Sequence, residues 1–146
     1  MKLQYIFIGA ILLIVVFIAG CSATGRTVAE SAEGYVSIPV SEVSTQVGFY
    51  SLENSGVKIN YFAVLGSDGK PRTAFDACDV CGGYKGYQQQ GSDIKCGKCG
   101  RVFSIDGLGT KNKGYGCWPS YLPHEVRGDD ILIKISDIKD GRKRFA

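Results

Sequence analysis

The chain has 146 residues, of which 45% are hydrophobic, and a formal net charge of +3 at pH 7, or +2 once Lys2 is removed with a leader. This nearly balanced and scattered charge argues against a nucleic-acid-binding footprint. The 126 residues after position 20 are enough for one domain with a real core. Twenty glycines, with abundant Val, Ile, Tyr and Phe, favour short strands and turns over helices.

The N-terminus resembles an export signal. After a short positive start, the run from Leu3 to Ala19 is almost wholly apolar, and Ile18-Ala19-Gly20-Cys21 resembles a prokaryotic lipobox. Residues 1–20 are therefore predicted to be a lipoprotein signal peptide, Cys21 the lipidated first mature residue and residues 21–34 a flexible tether. An uncleaved membrane anchor is the alternative, because the run is near the ~18-residue lower limit for a spanning helix. Either reading predicts an extracytoplasmic, membrane-anchored protein.

Residues 35–146 are predicted to form one all-β domain, a small sandwich or barrel. Alternating apolar residues predict strands over residues 35–40, 48–52, 57–65, 72–75, 101–105 and 131–135, with a further extended segment over 84–90. Ser41 is a candidate N-cap for a short helical turn, and residues 67–70 are typical of a hairpin turn. Residues 107–116 read as a glycine-rich loop, and residues 136–138 are expected to close the sheet edge.

Two Cys-x-x-Cys pairs are the strongest chemical signal in the chain. They are Cys78-Asp79-Val80-Cys81 and Cys96-Gly97-Lys98-Cys99, and fourteen residues separate them. Four thiolates on two tight knuckles make a tetrahedral sulfur site, which suits an iron–sulfur cluster or Zn²⁺, and less well Cu(I). Cys78, Cys81, Cys96 and Cys99 are thus predicted to bind one metal centre, and the residues alone favour zinc and iron–sulfur equally.

Cys117 is left over once Cys21 and the two pairs are assigned. It is a possible additional thiolate or redox partner at the site, or a buried cysteine packing as a small hydrophobe. Cys-x-x-Cys is also a thiol–disulfide redox motif, so a thiol oxidoreductase is an alternative function. That chemistry usually lies at the start of a helix, whereas glycines follow both pairs here.

Several polar residues near the pairs are weaker candidates. Asp76 and Asp79 flank the first pair, where they could hold an incoming cation such as Fe²⁺ or simply hydrogen-bond the turn backbone. His124 is expected to be a surface or strand-entry residue, with a minor chance of being a ligand. The basic run 142–144 reads as a solvated tail, the alternative being a weak contact with anionic lipid or a partner. No nucleophile–base pair is visible, which argues against a hydrolase.

Five aromatic residues could supply an apolar wall to the metal site, and ordinary core packing is the alternative for each of them. They are Phe75, Tyr84, Tyr87, Phe103 and Trp118.

The order of these features resembles the Rieske fold, in which a hairpin leads into a first metal loop and a second metal loop follows. Residues 74–78 enter the first loop and residues 93–103 resemble the second. A Rieske centre uses two Cys and two His, whereas this chain has a single His. Cys81 and Cys99 stand where the histidines would be. The resemblance implies a Rieske-like sandwich or barrel; a zinc-ribbon-containing β domain is the alternative.

A closer resemblance is to the FtrD-like membrane iron–sulfur proteins, found beside bacterial ferrous-iron uptake systems. It rests on Ala74-Phe75-Asp76-Ala77-Cys78-Asp79-Val80-Cys81, on Ile94-x-Cys96-x-x-Cys99-Gly100-x-x-Phe103 and on Gly116-Cys117-x-Pro119. Many members carry several membrane helices before the domain, where this chain has a lipoprotein-type leader, and Trp118 replaces an expected smaller polar residue.

The family resemblance implies an iron–sulfur electron-transfer module rather than an enzyme. Its expected partners are the membrane, through lipid on Cys21, and a membrane oxidoreductase or metal-uptake system, with no nucleic acid. The alternative is a structural zinc domain that serves as an interaction module.

Overall fold

A computed structural model describes residues 34–81, 84–109 and 117–146. The predicted leader, Cys21 and most of the tether lie outside the described residues, as does most of the predicted 107–116 loop. The described part of the chain is mostly β, as predicted. Its strands are β1 (Tyr35–Pro39), β2 (Gly48–Asn54), β3 (Val57–Leu65), β4 (Pro71–Phe75), β5 (Tyr87–Gln90), β6 (Asp93–Cys96), β7 (Val102–Ser104), β8 (Glu125–Arg127) and β9 (Asp130–Lys134).

These strands form three antiparallel sheets of three strands each, with the orders β1-β9-β8, β2-β3-β4 and β5-β6-β7. The β2–β3 hairpin pairs Asn54 with Val57 across a two-residue turn. Ser55 and Gly56 both have positive φ there, at 51° and 73°. That conformation matches the tight hairpin turns whose twist suits antiparallel strands.

β3 is the strand that divides the core, because both of its faces are buried. Ile59, Tyr61 and Ala63 pack into one hydrophobic cluster with residues from β1 and β9. Phe62 and Val64 pack into a second cluster that contains Cys96 and Cys117. Since side chains alternate across a strand, β3 contributes to both clusters at once and places the cysteines on one side of the β2-β3-β4 sheet.

The prediction that residues 136–138 close the sheet edge is wrong. β9 ends at Lys134, and an α-helix, α1, runs over Ile135–Asp140. Ile135 and Ile138 are buried, three residues apart and therefore on one helical face. The spacing between buried apolar residues changes at Ile135 from two residues, as in a strand, to three residues, as in a helix.

Two further local expectations differ from the structure. A short 3₁₀ turn begins at Val40, after Pro39, so Ser41 lies inside the turn and is not its N-cap. The expected solvated tail is ordered: another 3₁₀ turn covers Gly141–Arg144. A Cβ built on Gly141 would overlap the ring of Phe75, so only glycine allows this close approach.

Candidate metal centre

The first cysteine pair lies in the loop that follows β4. Two backbone hydrogen bonds hold this loop at its start, from the Asp76 N–H to the Asn60 carbonyl (2.9 Å) and from the Ser120 N–H to the Ala77 carbonyl (2.8 Å). The Phe75 N–H also donates to the Ser120 carbonyl (2.9 Å). Ser120 therefore fastens the segment that carries Cys117 to the loop that carries Cys78 and Cys81.

The second pair closes the turn between β6 and β7. Cys96 ends β6; its N–H donates to the Arg101 carbonyl (2.9 Å), and its carbonyl accepts from the Gly100 N–H (3.0 Å). Gly100 has a φ of +72°, which a residue with a side chain rarely adopts. This tight turn brings Cys99 back towards Cys96.

The second pair also contacts, through the backbone, the segment that follows the first pair. The Gly97 N–H donates to the Gly86 carbonyl (2.8 Å) in that segment. A Cβ at Gly97 would lie 2.7 Å from the Lys85 carbonyl oxygen and 2.9 Å from that of Gly86. The absence of a side chain at Gly97 thus lets the second pair approach the backbone of residues 85–86.

These contacts bring the sulfur atoms of all four paired cysteines and Cys117 into one place. The Sγ atoms of Cys78, Cys81 and Cys117 lie within 4.8 Å of one another, and so do those of Cys81, Cys96 and Cys99. Cys81 belongs to both groups, and its Sγ is 2.7 Å from that of Cys117. Five thiols thus converge on Cys81, and they offer a soft, all-sulfur donor set for zinc, iron–sulfur or Cu(I).

Backbone amides favour ionisation of one thiol in each pair. The Arg101 N–H hydrogen-bonds the Cys99 thiolate and lowers the pKa of Cys99 to about 7. Burial raises the pKa of Cys78, but hydrogen bonds from the N–H groups of Cys81 and Val80 outweigh it, so that the pKa lies below its ordinary value. Since metals bind thiolates, these amides prepare both pairs for a metal.

A hydrogen bond between the Cys81 and Cys117 sulfurs has the opposite effect. It raises the pKa of Cys81 above the ordinary range and keeps the proton on that pair of thiols. A metal bound there would displace this proton, so binding at Cys81 releases acid.

Three of the five expected aromatic residues surround the sulfurs. The buried Tyr87 donates its hydroxyl to the Cys117 carbonyl, and Phe103 packs on Trp118 with ring centroids 4.7 Å apart. Gly107 gives the indole room, since a Cβ there would lie 2.6 Å from Trp118 Cη2. Phe75 packs instead into the other core cluster, and Tyr84 is 41% exposed.

The carboxylates near the first pair have side-chain partners of their own. The buried Asp76 accepts from the Tyr87 N–H (2.6 Å) and the Tyr84 hydroxyl (2.5 Å), so it joins two distant residues rather than its own turn. Asp79 forms an ion pair with Arg144 (2.8 Å) and accepts from the Ser120 hydroxyl (3.0 Å).

The pKa values of these two carboxyl groups are shifted in opposite directions. Burial raises the pKa of Asp76 to about 6, although both hydrogen bonds oppose the shift. Burial also raises the pKa of Asp79, but Arg144 and Ser120 outweigh it, and the net pKa is below its ordinary value. Asp79 therefore stays ionised beside the first pair.

His124 is a strand-entry residue, immediately before β8, as expected. Its Nδ1 lies 2.8 Å from the Thr73 hydroxyl oxygen. Because that hydroxyl donates its proton to the Leu122 carbonyl (2.7 Å), the histidine Nδ1–H must be the donor to Thr73. Among the described residues, both groups of potential metal ligands contain only cysteines, so His124 is not in either of them.

The sequence did not lead us to expect that the basic run 142–144 contacts the rest of the domain. Arg144 pairs with Asp79, and its guanidinium carbon lies 4.9 Å from the centroid of the Phe75 ring. Phe145 packs against Phe75 and Tyr84, at centroid distances of 6.4 and 5.1 Å. Phe145, directly after three basic residues, is the signal that this segment folds back onto the domain.

None of the helices in the described residues is long and apolar enough to cross a bilayer. The apolar run from Leu3 to Ala19 lies outside them.

Comparison with known proteins gives one result. Residues 43–145 match the sequence profile described as "Membrane iron-sulfur containing protein FtrD-like", whereas neither a curated protein nor a solved structure matches the chain. The match covers both knuckles and Cys117 and extends over most of the chain, which therefore belongs to the FtrD-like family of membrane iron–sulfur proteins.

Proposed function

We propose that this protein is a membrane-tethered, extracytoplasmic iron–sulfur electron-transfer module, and not an enzyme by itself. The observation that carries the proposal is the convergence of five thiol sulfurs on Cys81. The donor set is entirely sulfur, as in iron–sulfur clusters held by four cysteines, and the family description names an iron–sulfur protein. A bound cluster would supply the transfer of single electrons.

The chain's own residues have separate roles in this proposal. Cys78, Cys81, Cys96 and Cys99 hold the cluster, and Cys117 is a fifth thiol available as an alternative ligand or proton carrier beside Cys81. Tyr87 and its aromatic neighbours shield one side from water. Cys99 is exposed, so electrons have a short path to a partner on the other side.

The surrounding polar groups support a carrier rather than a catalyst. The carboxylates of Asp76 and Asp79, which flank the first cysteine pair, and the imidazole of His124 are each held by hydrogen bonds or an ion pair. A general acid or base must instead reach a substrate proton.

Lipid on Cys21 would attach the domain to the membrane through the segment 21–34. A flexible tether raises the effective concentration of the domain near membrane proteins without a strong interface. We propose that the partner is a membrane oxidoreductase or an iron-uptake system, in line with the family resemblance.

The test is elemental analysis and spectroscopy of the full chain purified without oxygen. The proposal expects iron and acid-labile sulfide, visible charge-transfer absorption that bleaches on reduction, and an electron paramagnetic resonance signal in the reduced form. A colourless protein with one equivalent of Zn²⁺, which stays colourless after attempted cluster reconstitution, would overturn it. That outcome would leave a structural zinc domain, whose donor set is the same.

One distance supports a second candidate function, thiol–disulfide exchange. The sulfurs of Cys81 and Cys117, 2.7 Å apart, are already in contact. In this alternative the protein is metal-free and the two thiols give up two electrons and two protons to a disulfide of a partner. Mass spectrometry of the anaerobic protein distinguishes the two, since a metal-free protein with a Cys81–Cys117 disulfide supports exchange.

A further inference from the structure

A cavity of about 520 Å³ opens directly beside the cysteines. Cys78, Cys81 and Cys96 are among the residues that line it. The metal centre proposed above would therefore face this cavity.

Positive side chains outnumber acidic side chains in the cavity lining. Lys85, Lys98, Lys143 and Arg144 line it, whereas Asp79 is the only acidic side chain that does so among the described residues. Asp79 is already paired with Arg144. The three lysines come from three separate parts of the chain, and all three are exposed. They are called the lysine rim below.

An exposed apolar residue lies between two residues of the cavity lining, Asp79 and Cys81. This residue, Val80, is 62% exposed. Single exposed apolar residues are common, but Val80 separates two metal-ligand candidates and directly follows a residue that pairs with Arg144. Protein interfaces combine apolar contacts with a polar or charged rim, and Val80 with the nearby lysines offers both.

We propose that the lysine rim and Val80 form the docking face for an acidic protein partner. This inference rests on the electron-transfer function, since docking here would place the partner within a few side chains of the thiolates. Charge complementarity identifies the partner's chemistry: three lysines attract a surface rich in Asp and Glu and raise the rate of encounter. A weak, salt-sensitive contact suits a carrier that must leave after each transfer.

The test uses two redox-inert paramagnetic probes with the full chain, loaded with Zn²⁺ in a neutral detergent. Hexacyanochromate(III), a trianion, should broaden the amide NMR signals of Val80, Lys85 and Lys98 selectively. Hexaamminechromium(III), a trication of similar size, should not. Because neither probe exchanges electrons, this result is independent of whether the native centre is iron–sulfur or zinc.

A charge-matched pair of variants makes the test specific. Reversing the rim (Lys85→Glu, Lys98→Glu and Lys143→Glu) should weaken the trianion effect by about tenfold or more, in the range by which charge steering changes association. Reversing three exposed lysines outside this cavity (Lys70→Glu, Lys134→Glu and Lys139→Glu) gives the same net charge and should leave the pattern in place.

Three outcomes would overturn the proposal. The first is broadening of amide signals centred on another part of the domain, and the second is an equal loss of the trianion effect in the two triple variants. The third is tight one-to-one binding of citrate that persists at physiological ionic strength, where the Debye length is about 8 Å. The last result would identify a small-anion pocket instead of a protein-docking face. Normal probe mapping on a protein that fails every iron–sulfur test would reject the proposed function while keeping the anion-attracting face.

Discussion

Replacing Gly97 with alanine tests whether the close contact between the second cysteine pair and the backbone of residues 85–86 determines metal affinity. The added methyl group would lie 2.7 Å from the Lys85 carbonyl oxygen and 2.9 Å from the Gly86 carbonyl oxygen. Both obstacles are backbone atoms, so one segment must move. The movement would stretch the hydrogen bond from the Gly97 N–H to the Gly86 carbonyl, now 2.8 Å.

The magnitude follows from two contributions. Overpacking costs about 1–3 kcal/mol and a weakened hydrogen bond about 1 kcal/mol, or roughly 2–4 kcal/mol together. If this cost falls on the metal-bound state, affinity should decrease by about 30- to 700-fold, since 1.4 kcal/mol is tenfold. The assay is competition for Co²⁺ or Zn²⁺ between the full chain and a chelator of known affinity.

Gly91→Ala is the matched control for this experiment. Gly91 lies in the β5–β6 turn with a φ of +64° and no atom within 4 Å of an added Cβ, so alanine strains the backbone away from the cysteines. We expect it to lower the unfolding temperature without changing metal affinity. If Gly97→Ala left the metal affinity within threefold of the wild-type value, the contact of Gly97 with the backbone of residues 85–86 would not determine that affinity.

Three other substitutions test the surroundings of the site. Arg144→Ala should lower the free energy of unfolding by about 1–2 kcal/mol in denaturant titration, because it removes an ion pair to the half-exposed Asp79 and the contact with the Phe75 ring. A double-mutant cycle with Asp79→Asn that gives a coupling energy above about 1 kcal/mol would contradict the weak ion pair assumed here. Folding raises the pKa of Asp76 to about 6, so the folded state favours the protonated carboxyl group. The contribution of this group to stability is therefore complete below the unfolded-state pKa of about 4 and is lost as the pH rises through 6. Relative to Asp76→Asn, the wild-type protein should therefore lose about 2 kcal/mol of stability between pH 4 and 7, measured by denaturation in parallel at each pH, and parallel curves would refute the assignment. Tyr87→Phe removes the hydroxyl that holds the Cys117 carbonyl, so Cys117 should react faster with iodoacetamide in peptide-mapped labelling, and an unchanged rate would show that other contacts hold that segment.

Much of the fold is predictable from local patterns. β3 is the longest strand described, five of its nine residues are β-branched or aromatic, and its predicted bounds, 57–65, are those observed. The start of α1 was missed because Ile131, Ile133 and Ile135 continue the strand alternation, and only Ile138 shows the change of period. One apolar residue is too little for a helical pattern to be recognised.

The site was predictable as a set of cysteines but not as an environment. The spacing of the two pairs is local and appears directly in the sequence. The fastening of Cys117 to Cys81 depends on Ser120, whose bonds to Phe75 and Ala77 span more than forty residues and use only backbone atoms. No side-chain pattern encodes such bonds. The lysine rim was equally hidden, because Lys85, Lys98 and Lys143 become neighbours only through the fold.

The two buried faces of β3 also determine where this protein can change during evolution. A polar substitution at Phe62 would disturb the cysteine side of the domain, and one at Tyr61 would disturb the other core, so neither face of the strand tolerates variation. Lys98 and Val80, in contrast, lie on exposed turns whose shape is set by glycine and backbone hydrogen bonds. A lineage could therefore exchange one partner for another by changing these surface residues, while inheriting the thiol arrangement intact.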